Sequence, residues 1–180
     1  MSAGLHTAIL SLGGNLGNRA QLLTEALGAI DEIPGTAVIK RSALYETEPV
    51  GVESPDKRLV FLNAVVIIET KSAPLLLLDS LQQIERRLGR IRTGINHPRT
   101  VDIDIISFDE VISDDPKLTL PHPRASERRF VLQPLAEITP NYVLPGSTTP
   151  VCKILQNLPL IPKVQLSAVQ WQIIATTEST

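Results

Sequence analysis

The segment Arg99-Thr100-Val101-Asp102-Ile103-Asp104-Ile105-Ile106 sets two carboxylates two residues apart within a β-branched apolar run. In a strand the side chains alternate, so Asp102 and Asp104 share one face while Val101, Ile103 and Ile105 share the other. Paired carboxylates repel each other, and a cation or an arginine is what relieves the repulsion. A metal site is one reading and a half-solvated edge strand the other, and the run alone favours neither. About half of the 17 Lys and Arg fall between Arg86 and Arg129, bracketing the pair. Among them Arg90, Arg92 and Arg99, followed by Lys117, His122 and Arg128, mix point charges and forked donors suited to phosphate oxygens. Carboxylates of this kind could hold one Mg²⁺ or two, with waters and phosphate oxygens completing each octahedron. Two ions roughly 3.5–4 Å apart would clamp both sides of an in-line displacement, so phosphoryl chemistry is the expected class.

A second anomaly is Asn63, a carboxamide among Phe61, Val65 and Ile67. An amide offers donors and an acceptor that match the edge of a flat heterocycle, against which an aromatic neighbour can stack. An Asn bonded to a nearby loop backbone explains the residue equally well. Gly13-Gly14-Asn15-Leu16-Gly17 ends a strand and precedes a helix, but it lacks the Gly-Lys-Ser/Thr ending of a phosphate loop. A plain strand-to-helix turn is the preferred reading.

These residues need elements to position them. Thr7 to Leu12 reads as a buried strand, and Asn18 with Gln21 forms a capping-box pattern before the stripe Leu22, Leu23, Ala26, Leu27, Ile30 and Ile33. Ala37 to Tyr45 is a second strand, Glu46 to Leu59 a Pro- and Gly-bearing exposed loop, and Val60 to Glu69 a third strand. Ser72 caps a helix that carries Pro74 in its first turn and stops at Gly89, and a loop over Thr93 to Pro98 leads into the Asp-bearing strand. The order β-α-β-β-α-β predicts an α+β, ferredoxin-like core. Beyond it we expect short strands at Glu110 to Ile112 and Leu118 to Leu120 flanking a turn at Ser113 to Pro116. A helix capped by Ser126 should run to Gln133, a second from Pro134 to Ile138, and another over Val151 to Leu158, with a peripheral strand over Val164 to Ile174. The hairpin and C-terminal helices added to the core predict a three-layer α/β/α sandwich.

With 180 residues, 43% of them hydrophobic, the chain can bury one substantial core, and we expect a single domain over 1–180. A net charge of −2 gives no ground for a nucleic-acid partner or an anionic membrane surface. Cys152 is the sole cysteine, and Met1 to Leu12 fits neither a signal peptide nor a spanning helix, so a cytoplasmic protein is expected.

Seven segments in order now carry a resemblance. They are Ser11 to Arg19 (SLGGNLGNR), Tyr45 to Gly51 (YETEPVG), Phe61 to Ala64 (FLNA), Gly89 to Arg92 (GRIR), Pro98 to Ile105 (PRTVDIDI), Leu120 to Pro123 (LPHP) and Arg128 to Phe130 (RRF). Over about Thr7 to Ile138 the chain resembles the 6-hydroxymethyl-7,8-dihydropterin pyrophosphokinases of folate synthesis, with 139–180 as a C-terminal extension. The resemblance implies transfer of a pyrophosphoryl group from ATP to the pterin hydroxymethyl oxygen, with release of AMP, in a monomer. It implies that Asp102 and Asp104 hold two Mg²⁺ ions. Arg90, Arg92 and Arg99 would grip phosphates, with Arg90, Arg99 and Asp104 as the catalytic set and His122 and Arg128 as further donors. Phe61 and Phe130 would sandwich the pterin while Asn63, with backbone around Thr47, Pro49 and Val50, reads its edge. Gln82, Glu85, Ile105, Lys117 and Thr119 would contact or frame the nucleotide. The chain departs from the usual family pattern at Glu48, Asn96, His97 and Pro123. Two rival readings are an Asp-x-Asp nucleotide-sugar transferase and a noncatalytic ferredoxin-like ligand-binding module. The absence of Gly-x-Gly-x-x-Gly weighs against the first, and the scarcity of aromatics against an RNA-binding form of the second.

Overall fold

In the computed structural model, residues 4–48, 60–90 and 100–172 are described. The central sheet is built on β1 (His6–Gly14), whose neighbours are β5 (Asp102–Phe108) on one side and β4 (Phe61–Thr70) on the other. The long β4 pairs along its first part with β3 (Tyr45–Thr47) and along its second with β2 (Thr36–Arg41), and β8 (Val164–Leu166) adds to the outer side of β3. Every pairing is antiparallel, and β1 and β2 both flank β4, the split βαβ arrangement expected from the element order. One face of the sheet carries α1 (Arg19–Asp31) and α2 (Pro74–Arg87), and the other carries α3 (Arg129–Ile138) and α4 (Val151–Asn157). Alternation explains the two cores. Leu10, Leu12, Leu62, Ala64, Ile103 and Ile105 face the first helix pair, while Ile9, Val65 and Ile106 face Val131, Leu132 and Leu135 of the second. The α+β three-layer reading is correct.

Local chemistry accounts for the boundaries. Asn18 Oδ1 accepts from the Gln21 amide at 3.3 Å, the expected cap, although Gln21 returns its bond to the Asn18 side chain instead of its backbone. Ala73, not Ser72, precedes α2. Pro74 at the first helical position holds Ala73 extended, leaving Ser72 too far back to cap. The anticipated second strand is two strands, β2 and β3, because Ser42 takes Val65 through both backbone and side chain and interrupts the ladder. At that break Glu137 of α3 accepts from the Ala43 amide and, at 2.9 Å, from the Tyr45 hydroxyl. Burial, reinforced by this carboxylate, raises the Tyr45 phenol to about 12.

Later elements shift more. The hairpin strands are β6 (Ser113–Asp115) and β7 (Leu118–Leu120), so Ser113 to Asp115 is strand instead of turn, and Glu110 to Ile112 is not strand. The Asp115 carboxylate accepts from the Lys117 amide at 2.8 Å and closes the turn one step later than expected. Ala125–Glu127 is a single 3₁₀ turn, and α3 runs unbroken through Pro134, sacrificing only one helical bond near its start. The last strand covers only Val164–Leu166 of the longer span expected. Trp171 packs beside the first core and donates from Nε1 to the Ser42 carbonyl at 2.8 Å.

Candidate active site

Asp102 and Asp104 lie on the sheet face that looks toward α3, opening onto a cavity of about 420 Å³. Register builds the floor of this cavity. Asp104 lies beside Ser11, Asp102 beside Gly13, and Gly13 in turn beside Asn63. Cross-strand partners share a face, so Asp102, Gly13 and Asn63 form one row over three adjacent strands. Two strand spacings, about 10 Å, separate the carboxylate strand from the amide strand. Asn63 is 5% exposed and donates from Nδ2 to Thr47 Oγ1 at 2.9 Å. Its carbonyl oxygen lies over Gly13, where a Cβ would come within 2.6 Å of it. Of the candidates, Thr47, Phe61, Asn63, Asp102, Asp104, Arg128 and Phe130 all line this one cavity.

Each carboxylate has an arginine. Arg90 bridges Asp102 and the buried Glu85, while Arg128 Nη1 stands 3.6 Å from Asp104 Oδ2. Arg128 also lies over the Phe130 ring at 5.4 Å, so one guanidinium links the carboxylate pair to an aromatic wall. Among the described residues no group of three His, Cys, Asp or Glu could hold a metal ion. Two carboxylates with room for phosphate oxygens are the donor set that suits substrate-borne Mg²⁺, so the residues present fit that ion.

Two nucleotide candidates turn out to be buried. Glu85 is 2% exposed, and its Oε1 accepts from the Ile103 amide at 2.8 Å beside Arg90. Burial pushes its carboxyl up, against the opposing pull of the Ile103 amide and Arg90. Its carboxylate therefore anchors β5 and Arg90 from beneath the site. The Ile105 side chain, 3% exposed, faces the first core, opposite the Asp pair. Yet β5 is an edge strand, and the Ile103 amide points away from β1 to reach Glu85. By alternation the Ile105 backbone points outward as well, where a ligand can pair with it. Gln82, Lys117 and Thr119 lie on α2 and the β6–β7 hairpin, outside the lining of the Asp cavity. Pro49, Val50, Arg92 and Arg99, like Asn96 and His97, fall outside the described residues.

His122 joins this end of the site. The Arg124 amide donates to its Nδ1 at 3.1 Å, and Arg128 Nη1 lies 3.4 Å from its Nε2. The imidazole and the guanidinium thus stand side by side, where one anionic oxygen can meet both. Burial, followed by the charges of Arg128 and Arg124, lowers the imidazole to about 4. The folded value lies below the ordinary one near 6.5, so His122 contributes stability above that pH and loses it as pH falls from about 6.5 to about 4. Thermal melts of the wild type should therefore fall more steeply across that window than melts of His122→Gln. Parallel curves would contradict the assignment.

The cavity also includes Ser11, Gly13, Glu48, Arg124, Glu127, Arg129 and Pro162, none of which was assigned to the site from sequence. Ser11 and Gly13 did carry a signal. They alternate with Leu10 and Leu12, so the small residues fall on the ligand face and the large ones on the core face.

Among the described residues no helix is long and apolar enough to cross a membrane. A family model described as 7,8-dihydro-6-hydroxymethylpterin-pyrophosphokinase matches residues 9–140. A 2-amino-4-hydroxy-6-hydroxymethyldihydropteridine pyrophosphokinase of Methylorubrum extorquens is 43% identical over 141 residues, covering 78% of this chain and 87% of that protein. Its Bacillus subtilis counterpart is 44% identical over 131 residues, covering 73% and 77%. A folic acid synthesis protein of Schizosaccharomyces pombe is 38% identical over 152 residues; these cover 84% of this chain but span only 20% of that protein. The Plasmodium falciparum HPPK-DHPS crystallised with pterin and p-hydroxybenzoate superposes with a TM-score of 0.66 at 17% identity, over 85% of this chain and 42% of its own, and shows the fold. The chain belongs to the 7,8-dihydro-6-hydroxymethylpterin-pyrophosphokinase family, enzymes of folate biosynthesis that transfer the pyrophosphoryl group of ATP to the hydroxymethyl group of that pterin.

Proposed function

We propose that the cavity over β1, β4 and β5 is where this transfer occurs, and the observation that carries it is the Asp102–Gly13–Asn63 row. A heterocycle read by Asn63 can extend its hydroxymethyl arm across Gly13 toward a triphosphate held at Asp102 and Asp104. Phe61 and Phe130 flank the ring, and Asn63, Thr47 and the backbone at Pro49 and Val50 read its edge. Asp102 and Asp104 hold two Mg²⁺ ions, which supply positive charge to the triphosphate oxygens. Arg90, Arg92 and Arg99 grip phosphates, and His122 and Arg128 converge on another oxygen. Arg90 leaves Asp102 as the phosphates arrive, while Glu85 stays in place beneath it. Gln82, Lys117, Thr119 and the outward backbone of Ile105 frame the adenosine. The hydroxymethyl oxygen approaches the β-phosphorus in line. Its bond to phosphorus forms as the bond to the AMP oxygen breaks, and its proton passes to Asp104. Positioning supplies much of the rate, because little covalent chemistry falls to the protein.

We further read residues 1–180 as one monomeric, cytoplasmic domain, with the motif-bearing core at about 7–138 and the extension at 139–180. The net charge of −2 supports a protein without nucleic-acid or membrane partners. The decisive assay is AMP release from MgATP with and without 6-hydroxymethyl-7,8-dihydropterin. AMP should appear only with the pterin, in equal amount to the pterin diphosphate. AMP release independent of pterin would reject the proposal.

A further inference from the structure

The segment after α4 returns to the site along the outer side of β3. Val164 pairs with Thr47 and Leu166 with Tyr45, and the Glu48 amide donates to the Lys163 carbonyl at 3.2 Å. The Lys163 amide faces Glu48 Oε2 at 3.4 Å, the Ser167 amide donates to the Leu44 carbonyl at 2.9 Å, and Pro162 stands in the cavity wall. The strand held by this strap presents Thr47, whose hydroxyl orients Asn63.

One side chain fixes the near end of the strap. Arg129 donates from Nε to the Pro159 carbonyl at 2.8 Å and from Nη2 to the carbonyls of Leu155 and Leu158 at 3.0 and 2.7 Å. Arg129 is the first residue of α3, where the positive end of the helix dipole disfavours a cation. Leu155 and Leu158 lie at the C-terminal end of α4, where a cation is favoured and the last carbonyls need donors. Its placement is thus unfavourable for its own helix and favourable for the turn that launches the strap. Arg129 also lines the cavity, next to Arg128 and Phe130.

The geometry points to Arg129 as a positioning residue for the pterin: it anchors the Pro159–Leu166 strap, which holds β3 and hence Thr47 and Asn63 in the orientation that reads the heterocycle. The inference rests on the pterin subsite proposed above. The effect falls chiefly on the heterocycle, because the strap packs on β3, whereas the described residues given to the nucleotide lie on or beside α2, β5 and β7, apart from Arg128, which precedes Arg129.

The test is calorimetric binding of 6-hydroxymethyl-7,8-dihydropterin in the presence of the unreactive α,β-methylene analogue of MgATP, with turnover measured separately. In Arg129→Met, loss of preorganisation should weaken pterin binding by about tenfold. Binding of the analogue alone, and kcat at saturating pterin, should stay within about twofold of wild type. Exchange of the Glu48 amide should quicken, and Arg129→Lys should recover part of the affinity. Gln165→Pro, which breaks β8 at an exposed position opposite Glu46, should reproduce the pterin-selective loss without touching Arg129. Unchanged pterin affinity in either folded variant, or equal loss of both ligands, overturns the inference. Failure of the wild type to bind pterin at all overturns the underlying subsite reading instead.

Discussion

Asp102→Ala and Asp104→Ala are each expected to reduce pterin-dependent AMP release by about a thousandfold or more, the scale on which preorganised charge at a reacting phosphate acts. The two losses should differ in their side effects. Asp102 shares Arg90 with Glu85, so its removal leaves that guanidinium with a single carboxylate in a buried corner. Asp104 is 39% exposed at its side chain and stands 3.6 Å from Arg128, so this half-solvated pair should contribute little stability. Asp104→Asn sharpens the comparison, since it keeps the shape and removes the charge. It should be nearly as inactive as the alanine variant. Pterin binding measured without metal should stay within about threefold of wild type in all three, because Asn63 is two strands away and Thr47 three. Turnover within tenfold of wild type in Asp104→Ala would end the role assigned to the pair.

Much of this site could be read from the chain because strand alternation is a local rule. Asp102 and Asp104 had to share a face once Ile103 and Ile105 were buried, and Asn63 had to sit with Phe61 once Leu62 and Ala64 entered the core. The same rule left open whether the Asp pair meets a cation or an arginine. In the fold each carboxylate has an arginine within reach, from α2's end and from the start of α3, which only tertiary structure could bring there. Glu85 and Ile105 show the limit of carrying roles over by alignment. Ile105 closes a matched segment and Glu85 stands four residues before another, but both side chains are buried, so Glu85 works through Arg90 and Ile105 through its backbone. The hairpin and the 3₁₀ turn slipped because Asp115 and Ser126 each have the chemistry to end or start an element, and packing chose between near-equal positions. The strap was legible only as a strand, expected over Val164 to Ile174, and its docking on β3 was not. Val164 to Leu166 become strand only because β3 offers an open edge far away in sequence.

Gly13→Ala carries the second large expectation, and it is an unusually clean one because the backbone there does not require glycine. Among the described residues the positive-φ glycines are Gly17, Gly35, Gly89 and Gly146, so alanine suits the Gly13 conformation itself. What it does not suit is the space above, where the new methyl would meet Asn63 Oδ1 at 2.6 Å and Asn63 Cγ at 3.6 Å. The Asn63 carboxamide must then move, breaking its 2.9 Å bond to Thr47 and misaligning the edge that reads the heterocycle. Misplaced polar groups in a site built to match a ligand's hydrogen bonds should weaken pterin affinity by about a hundredfold. The three atoms nearest that methyl belong to Asn63 and the Leu62 carbonyl, so the clash falls on the β4 side, away from Asp102, and MgATP binding should be unchanged. Because the methyl acts through one side chain, Gly13→Ala should add little to Asn63→Ala in a double-mutant cycle. Full additivity would place the effect of Gly13 elsewhere, in the approach of the hydroxymethyl arm across β1 to the phosphates.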